Sequence, residues 1–131
     1  MSGIIRSSEW QRPDPQLVRQ FAEFPVAVIG DSMERLDIID GGISPIWTGA
    51  RCVGSALPIY TTAGDNLAII EALALIREGD VVCVNAGGYP GRALMGDNLA
   101  QRFDVFGAVG AVVDGYVRDR DVIAELGFPV F

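Results

Sequence analysis

Hydrophobic residues recur at helical spacing near the start of the chain and in short continuous runs after it. Directly after Asp14-Pro15, a favourable pair for a helix start, four apolar positions fall on one helix face. These positions are Leu17, Val18, Phe21 and Phe24. A second, shorter helix is predicted over residues 26–36. Residues 1–14 are polar and show no period, so we interpret them as an N-terminal arm that docks on a neighbouring chain.

Strand-like and helix-like segments alternate through the rest of the chain. The predicted strands are residues 51–60, 81–85, 109–114 and 128–131, and the predicted helices are residues 67–77, 97–106 and 119–126. The first of these helices is apolar on nearly every side, which predicts burial on more than one face. Strands that alternate with helices form βαβ crossovers, so the pattern predicts an α/β fold with parallel strands. Ligands of such folds gather where strands end, which points to loops 86–98 and 114–119.

Length and composition narrow the class of protein. The 131 residues predict one domain, and half of them are hydrophobic. The net charge of -7 argues against a nucleic-acid partner, because such binding depends on basic residues that neutralise phosphates. No apolar run approaches the about 20 residues of a membrane span, and the N-terminus contains none long enough for a signal sequence. We therefore expect a cytoplasmic protein that does not bind membranes.

The residue types that are missing restrict the chemistry. The chain contains no histidine, and all ten of its basic residues are arginines. A reaction here must therefore use carboxylates, arginine, backbone amides, hydroxyls or thiols. Cys52 and Cys83 lie in apolar surroundings, and we expect two reduced, buried thiols. A cysteine nucleophile would lack histidine, its most common base.

The sequence Gly-Asp-Asn-Leu-Ala occurs twice, at residues 64–68 and 96–100. It suits a helix N-terminus, where the carboxylate meets free amides and the positive end of the helix dipole. For Asp65 we expect capping alone, whereas capping and a functional role both stay open for Asp97. The glycine-rich loop before it lacks the spacing of a nucleotide-binding loop. It would instead let the backbone approach a small anion beside the amides of Asn98 and Leu99.

Arg118 and Asp119 follow a predicted strand, and two interpretations of them are open. They form a salt-bridged surface turn, or Arg118 binds a carboxylate or developing enolate through its guanidinium fork while Asp119 ligates a metal. A site of carboxylates, amides and water, without histidine or thiolate, favours a hard cation such as Mg²⁺ or Mn²⁺. Arg120 and Asp121 are interpreted as solvated charges at a helix start. Arg92 lies either at the rim of the site or on the surface.

Taken together, these motifs resemble the signature of the RraA-like family. The segment Gly96-Asp97-Asn98-Leu99 is followed by Arg118-Asp119 in the context VVDGYVRD, with twenty residues between Asp97 and Arg118. The family includes the class II 4-hydroxy-4-methyl-2-oxoglutarate/4-carboxy-4-hydroxy-2-oxoadipate aldolases and the RraA regulators of a ribonuclease. The similarity extends over residues 26–131. It implies a layered β/β/α swivelling-type domain over residues 15–131, with parallel strands and crossover helices.

The resemblance also implies a role for each site residue. Asp119 would coordinate Mg²⁺ or Mn²⁺, Asp97 would orient a metal-bound water, and the metal would stabilise a pyruvate enolate. The pyruvyl group of a small 2-oxo acid would be held by Arg118 and by the segment Gly96, Asp97, Asn98 and Leu99. The implied activity is retro-aldol cleavage of 4-hydroxy-2-oxo diacids to pyruvate, or decarboxylation of oxaloacetate. The absence of lysine independently excludes a Schiff-base aldolase.

The resemblance further implies a homotrimer or homohexamer with sites between subunits. Members of the family continue beyond the segment that matches the final residues GFPVF, and their aldolases place there a glutamate that helps to hold metal waters across a subunit boundary. We therefore expect a domain that is short at its C-terminus. The alternative function is a catalytically silent regulator that binds a protein partner, as the RraA branch does. A third interpretation is an unrelated α/β domain in which Arg118 and Asp119 are structural.

Overall fold

The computed structural model describes residues 7, 10–39 and 41–131, within which five α-helices and five strands are found. The helices are α1 (Pro15–Gln20), α2 (Val26–Ser32), α3 (Leu67–Ala72), α4 (Asp97–Val105) and α5 (Arg120–Leu126). The strands are β1 (Ser55–Tyr60), β2 (Asp80–Asn85), β3 (Ala93–Met95), β4 (Gly110–Asp114) and β5 (Tyr116–Val117). Short 3-10 turns follow α1 and α3, at Phe21–Glu23 and Leu73–Leu75. None of the helices in the described ranges is both long enough and apolar enough to cross a membrane.

The strands form two parallel sheets. One has the order β1-β2-β4, and the other pairs β3 with β5. The predicted strand over residues 128–131 is present only as a parallel bridge from Val130 to Ala111 in β4. Most of the predicted strand over 51–60 is present, but β1 begins at Ser55. The predicted α/β fold with parallel strands is confirmed.

The core lies on one face of the three-stranded sheet. Leu57, Val82 and Ala111 are adjacent in register on β1, β2 and β4, and all three are buried. Phe103 of α4, which is fully buried, packs against Phe128 with ring centroids 6.4 Å apart. The side chains of β1 on the other face are exposed, which matches the strict alternation of its burial pattern.

The predicted helix over residues 67–77 is too long. α3 ends at Ala72, and Ile76 after the 3-10 turn is extended, with ψ of 135°. The buried carboxylate of Asp80 accepts a hydrogen bond from the amide of Arg77 at 2.8 Å, which gives that amide a partner outside a helix. The prediction of burial on more than one face is also wrong within this chain, since Ile70 remains 39% exposed.

The predicted helices near the N-terminus are present, but their apolar residues are not covered. Leu17, Phe21 and Phe24 remain about half exposed, and no residue of α1 is buried. α2 ends at Ser32 rather than at residue 36, where the chain turns with positive φ angles at the two residues after Met33. The helical spacing of apolar residues therefore predicted α1 and α2, but their apolar faces do not pack into the core of this chain.

The described end of the predicted arm contacts its own chain. Arg12 donates to both carboxylate oxygens of Asp80, from Nε at 2.6 Å and from Nη2 at 2.7 Å, and Nη2 also donates to the Leu75 carbonyl at 2.9 Å. The guanidinium lies 4.6 Å from the centre of the Trp10 ring. This side chain ties residues 10–12 to the start of β2. Residues 1–6, 8 and 9 of the predicted arm lie outside the described residues.

Candidate active site

The pairing of β3 with β5 explains why two motifs twenty residues apart meet. Ala93 lies opposite Tyr116 and Met95 opposite Val117, and the Arg118 amide donates to the Met95 carbonyl at 3.0 Å. Parallel strands end at the same edge of a sheet, so the residues that follow them adjoin. The twenty intervening residues are those needed for the crossover through α4 and β4. Gly96 and Arg118-Asp119 are thereby brought together.

Arg118 and Asp119 form an ion pair beside the N-terminus of α4. The Nε of Arg118 lies 3.1 Å from Asp119 Oδ2, and the two side chains are 73% and 35% exposed. Within the described part of the chain, the guanidinium has no second ion-pair partner. Its terminal nitrogens therefore remain able to bind an external carboxylate through the fork.

Asp119 has a backbone conformation that is uncommon for a residue with a side chain. Its φ of 59° and ψ of 38° place it in the left-handed region, which costs of order 1–3 kcal/mol. It also occupies the N-cap position of α5, where an aspartate usually caps the helix, yet its side chain makes no capping hydrogen bond. Both local preferences are unfulfilled, and the carboxylate lies against Gly96 and Arg118 instead.

The first turn of α4 presents Asp97 and backbone amides at the same edge. Asp97 Oδ1 accepts a hydrogen bond from the Asn98 amide at 2.7 Å. Leu99 is buried in the core, so only its backbone is available to a ligand. In the matching repeat, Asp65 accepts a hydrogen bond from the Leu67 amide at 2.9 Å, so it satisfies the first amide of α3 although Asn66 occupies the N-cap position. Asp97 therefore satisfies one amide locally.

The donor set fits a hard cation held by few protein ligands. Among the described residues, no three acidic, histidine or cysteine side chains cluster closely enough to form a metal site by themselves. Asp119 Oδ2 is paired with Arg118, and no other residue of the described ranges forms an ion pair with Oδ1. Mg²⁺ is commonly bound by one or two carboxylates, with water and substrate oxygens completing its coordination. A site with Asp119 as its protein ligand agrees with that chemistry.

The two cysteines are unsuited to act as nucleophiles at this site because of their burial. Cys52 and Cys83 are both free and half-buried, so the predicted reduced thiols are confirmed, although neither is fully buried. Burial raises the pKa of both thiols, and the charge of Cys83 raises the pKa of Cys52 further. A raised pKa disfavours the thiolate, which makes both poor nucleophiles at neutral pH.

Comparison with known proteins places this geometry in a family. Residues 26–131 match the family model RraA-like, described as Aldolase/RraA. The chain belongs to the RraA-like family. A relative from Halalkalibacterium halodurans, named "Putative 4-hydroxy-4-methyl-2-oxoglutarate aldolase", is 33% identical over 87% of this chain and 54% of its own length. This RraA-like chain therefore spans about half the length of that relative.

Solved structures of RraA-like proteins share the fold. One is Streptomyces coelicolor RraAS2, described as an unusual member of the RNase ES inhibitor RraA protein family. It has a TM-score of 0.80 and 30% sequence identity, and the match covers 92% of this chain and 63% of that one. Another is the RNA-processing inhibitor RraA from Thermus thermophilis, with a TM-score of 0.72 at 26% identity, over 82% of this chain and 65% of that one. The named relatives thus include both aldolases and inhibitors of RNA processing.

One cavity of the RraA-like chain is lined by residues other than those of the predicted site. It has a volume of about 740 Å³ and lies between residues 42–46 and the end of β4, beside Arg120. Asp97, Arg118 and Asp119 do not line it, although their neighbours Val117 and Arg120 do.

Two contacts near the site were not apparent from the sequence. Arg120, which we interpreted as a solvated charge, remains exposed but donates from Nε and Nη2 to the Ile46 carbonyl, at 3.0 and 2.6 Å. Trp47 Nε1 donates to the Phe128 carbonyl at 3.0 Å. Both contacts join residues more than seventy positions apart, and no local pattern reveals such a pair. Arg92 is exposed beside Gly64 and Tyr89, away from the ion pair.

Proposed function

We propose that this chain is a divalent-metal-dependent lyase that cleaves 4-hydroxy-2-oxo diacids to pyruvate by a retro-aldol reaction, decarboxylates oxaloacetate, or does both. The observation that carries the proposal is the placement of Asp119. Asp119 has a left-handed backbone conformation, and its side chain does not cap α5. Its carboxylate lies instead beside Arg118 and the N-terminus of α4. Strain retained at a surface position is typical of a functional site.

Asp119 would hold Mg²⁺ or Mn²⁺, since its carboxylate has a free oxygen and is accessible to solvent. The ion, when bound, supplies a Lewis acid that withdraws electrons from the 2-oxo group. Both carbon–carbon cleavages leave a pair of electrons beside that carbonyl, so both need this stabilisation. The same residues therefore serve retro-aldol cleavage and decarboxylation.

Arg118 would bind and orient the substrate carboxylate. Its Nε is engaged by Asp119, and the exposed side chain would leave its terminal nitrogens for the substrate. The Asn98 amide already donates to Asp97, so within the first turn of α4 the Leu99 amide would add a hydrogen-bond donor, together with the positive end of the helix dipole. Together these groups favour an anion at this edge over a neutral ligand.

Asp97 would act on protons through water. Retro-aldol cleavage removes the proton of the 4-hydroxyl group and later adds one to the methyl carbon of pyruvate. With no histidine in the chain, a carboxylate that orients water is the available base. Asp97 is partly exposed at the edge where Arg118 and Asp119 lie, which allows a water molecule between it and the substrate.

We further propose that the site is completed in a homotrimer or homohexamer of cytoplasmic protein. Leu17, Phe21 and Phe24 leave an apolar surface that a neighbouring chain would cover. The Arg118 side chain is 73% exposed within one chain, so a neighbouring chain could contribute to the site.

The alternative is a binding protein without turnover that regulates a ribonuclease through protein contacts. It is favoured by the likeness to the RNase ES inhibitor family at 30% identity. In that case the ion pair of Arg118 with Asp119 is structural and no cation is required. A stoichiometric protein partner, found together with no turnover of any 2-oxo acid, would favour this function over the lyase.

The first test is pyruvate release from 4-hydroxy-4-methyl-2-oxoglutarate and from oxaloacetate, with Mg²⁺, with Mn²⁺ and with excess chelator. We expect chelator-sensitive turnover that is lost in Asp119→Ala. Asp121→Ala is the matched control, because it removes an exposed carboxylate two residues away on α5. Metal-dependent turnover that persists in Asp119→Ala would refute the assignment of the metal ligand.

A further inference from the structure

Gly96 is glycine for a reason other than backbone conformation. Its φ of -145° and ψ of -159° describe extended backbone that any residue adopts. It is also buried and directly precedes α4. By contrast, Gly127 at the end of α5 has a φ of 74°, where glycine is favoured by conformation alone.

The space beside the Gly96 Cα is occupied by the ion pair of the candidate site. A β-carbon built on Gly96 would overlap Asp119 Oδ2, and it would lie 2.9 Å from Arg118 Cγ and 3.0 Å from Arg118 Nε. The nearest atoms thus belong to two side chains and none to the backbone. At Gly54, in comparison, a β-carbon would overlap the carbonyl oxygen of Gly79, which cannot move without the chain.

We propose that Gly96 is a positioning residue, and that its missing side chain allows the Asp119 carboxylate to lie against the N-terminus of α4 in the orientation that binds a divalent cation. The inference rests on the proposed function. An alanine at this position would turn the carboxylate and the guanidinium away, because side-chain ends move more readily than packed backbone. The effect would therefore fall on ligand binding and leave the fold intact.

The position also has an electrostatic consequence. The N-terminus of α4 carries the partial positive charge of the helix dipole, and Arg118 adds a full positive charge on the same carboxylate. Both attract the Asp119 carboxylate to one place before a cation arrives. Moving the carboxylate away from the end of the helix removes part of that support, in addition to changing its direction.

The test measures Mn²⁺ binding by electron paramagnetic resonance, with the 131-residue chain and without substrate. The variants are Gly96→Ala, Asp119→Gly and the two combined. Gly41→Ala is the matched control, because a β-carbon built there meets no atom within 4 Å. Glycine is chosen at position 119 because it adopts the left-handed conformation without strain.

We expect Gly96→Ala to raise the Kd for Mn²⁺ at least tenfold, while its urea midpoint and circular dichroism match those of Gly41→Ala. In the Asp119→Gly background, Mn²⁺ binding should be lost whether position 96 is glycine or alanine, because the carboxylate that binds the ion is absent. If Gly96→Ala does not fold alone, folding must be restored when Asp119→Gly removes the overlapping atoms. Failure of that rescue would overturn the inference.

The outcomes separate this inference from the proposed function. Mn²⁺ binding that is unchanged in Gly96→Ala refutes the positioning role and leaves the lyase proposal standing. An equal loss of affinity in Gly41→Ala also refutes the positioning role, since it shows a general effect of the substitution. Absence of Mn²⁺ binding by the unsubstituted chain refutes the metal-dependent lyase and the positioning role together.

Discussion

Replacing Arg12 by alanine should destabilise the fold far more than its place near the N-terminus suggests. Asp80 is fully buried, and Arg12 donates to both of its carboxylate oxygens. After the replacement, the carboxylate would keep only the hydrogen bond from the Arg77 amide. Its charge would then be buried without a counterion, since residues 7, 10–39 and 41–131 contain no other ion pair to it.

The size of the destabilisation depends on whether one partner of the buried ion pair is removed or both are. Loss of one partner of a buried ion pair costs about 3–5 kcal/mol, because the remaining charge stays desolvated. The hydrogen bond to the Leu75 carbonyl and the contact with Trp10 are lost as well. Since a domain of this size is stable by only about 5–15 kcal/mol, Arg12→Ala should remove a large share of the free energy of unfolding.

Urea unfolding followed by tryptophan fluorescence measures this effect, and Arg35→Ala provides the control. Arg35 pairs with Asp31 at 3.3 Å, but both side chains are exposed, so its loss should cost less than about 1 kcal/mol. Arg12→Ala combined with Asp80→Asn should be less destabilised than the sum of the two single variants, because the double variant leaves no buried charge behind. Equal costs for Arg12→Ala and Arg35→Ala, or additive effects in the double variant, would refute the reasoning.

Three other expectations test separate parts of the structure. Phe103→Ala should lower the free energy of unfolding by about 3–5 kcal/mol, measured in urea, because the ring is fully buried against Phe128. Arg118→Lys should lower kcat/KM for pyruvate release without changing the urea midpoint, because lysine keeps the charge but lacks the fork; an unchanged kcat/KM would contradict the role of the fork. Burial raises the pKa of Cys52 and Cys83, so the folded state holds their protons more tightly, and stability should fall as pH rises above the ordinary value of 9.0. The free energy of unfolding in urea, measured at several pH values above 9.0, tests this. The same dependence on pH in a Cys52→Ala/Cys83→Ala variant would contradict it.

The order of elements could be predicted because it depends on local pattern. The continuous apolar run of β2 and the helix start at Asp97 are features that a few consecutive residues determine. β5 was not predicted, because two residues are too few to show a period. The end of α3 was misplaced for a different reason, since the backbone there is held by Arg12 and Asp80, which no local pattern relates.

The candidate site divides in the same way. Arg118 and Asp119 were identifiable from their residue types and their spacing from Asp97. That Asp119 adopts a left-handed conformation, leaves α5 uncapped and lies in the space beside Gly96 could not be read from those residues. The pairing of β3 with β5 decides it, since that pairing sets which strand ends adjoin.

The sequence by itself determined most of the helices and strands in their order, the absence of histidine and lysine chemistry, and the residue types available at the candidate site. These follow from side-chain chemistry and short-range periodicity, which act within a few residues. Only the tertiary structure decided that Arg12 is the counterion of Asp80 and that Gly96 makes room for Asp119. Contacts of this kind depend on strand register and on the direction of each side chain, and register is set by the packing of the whole sheet.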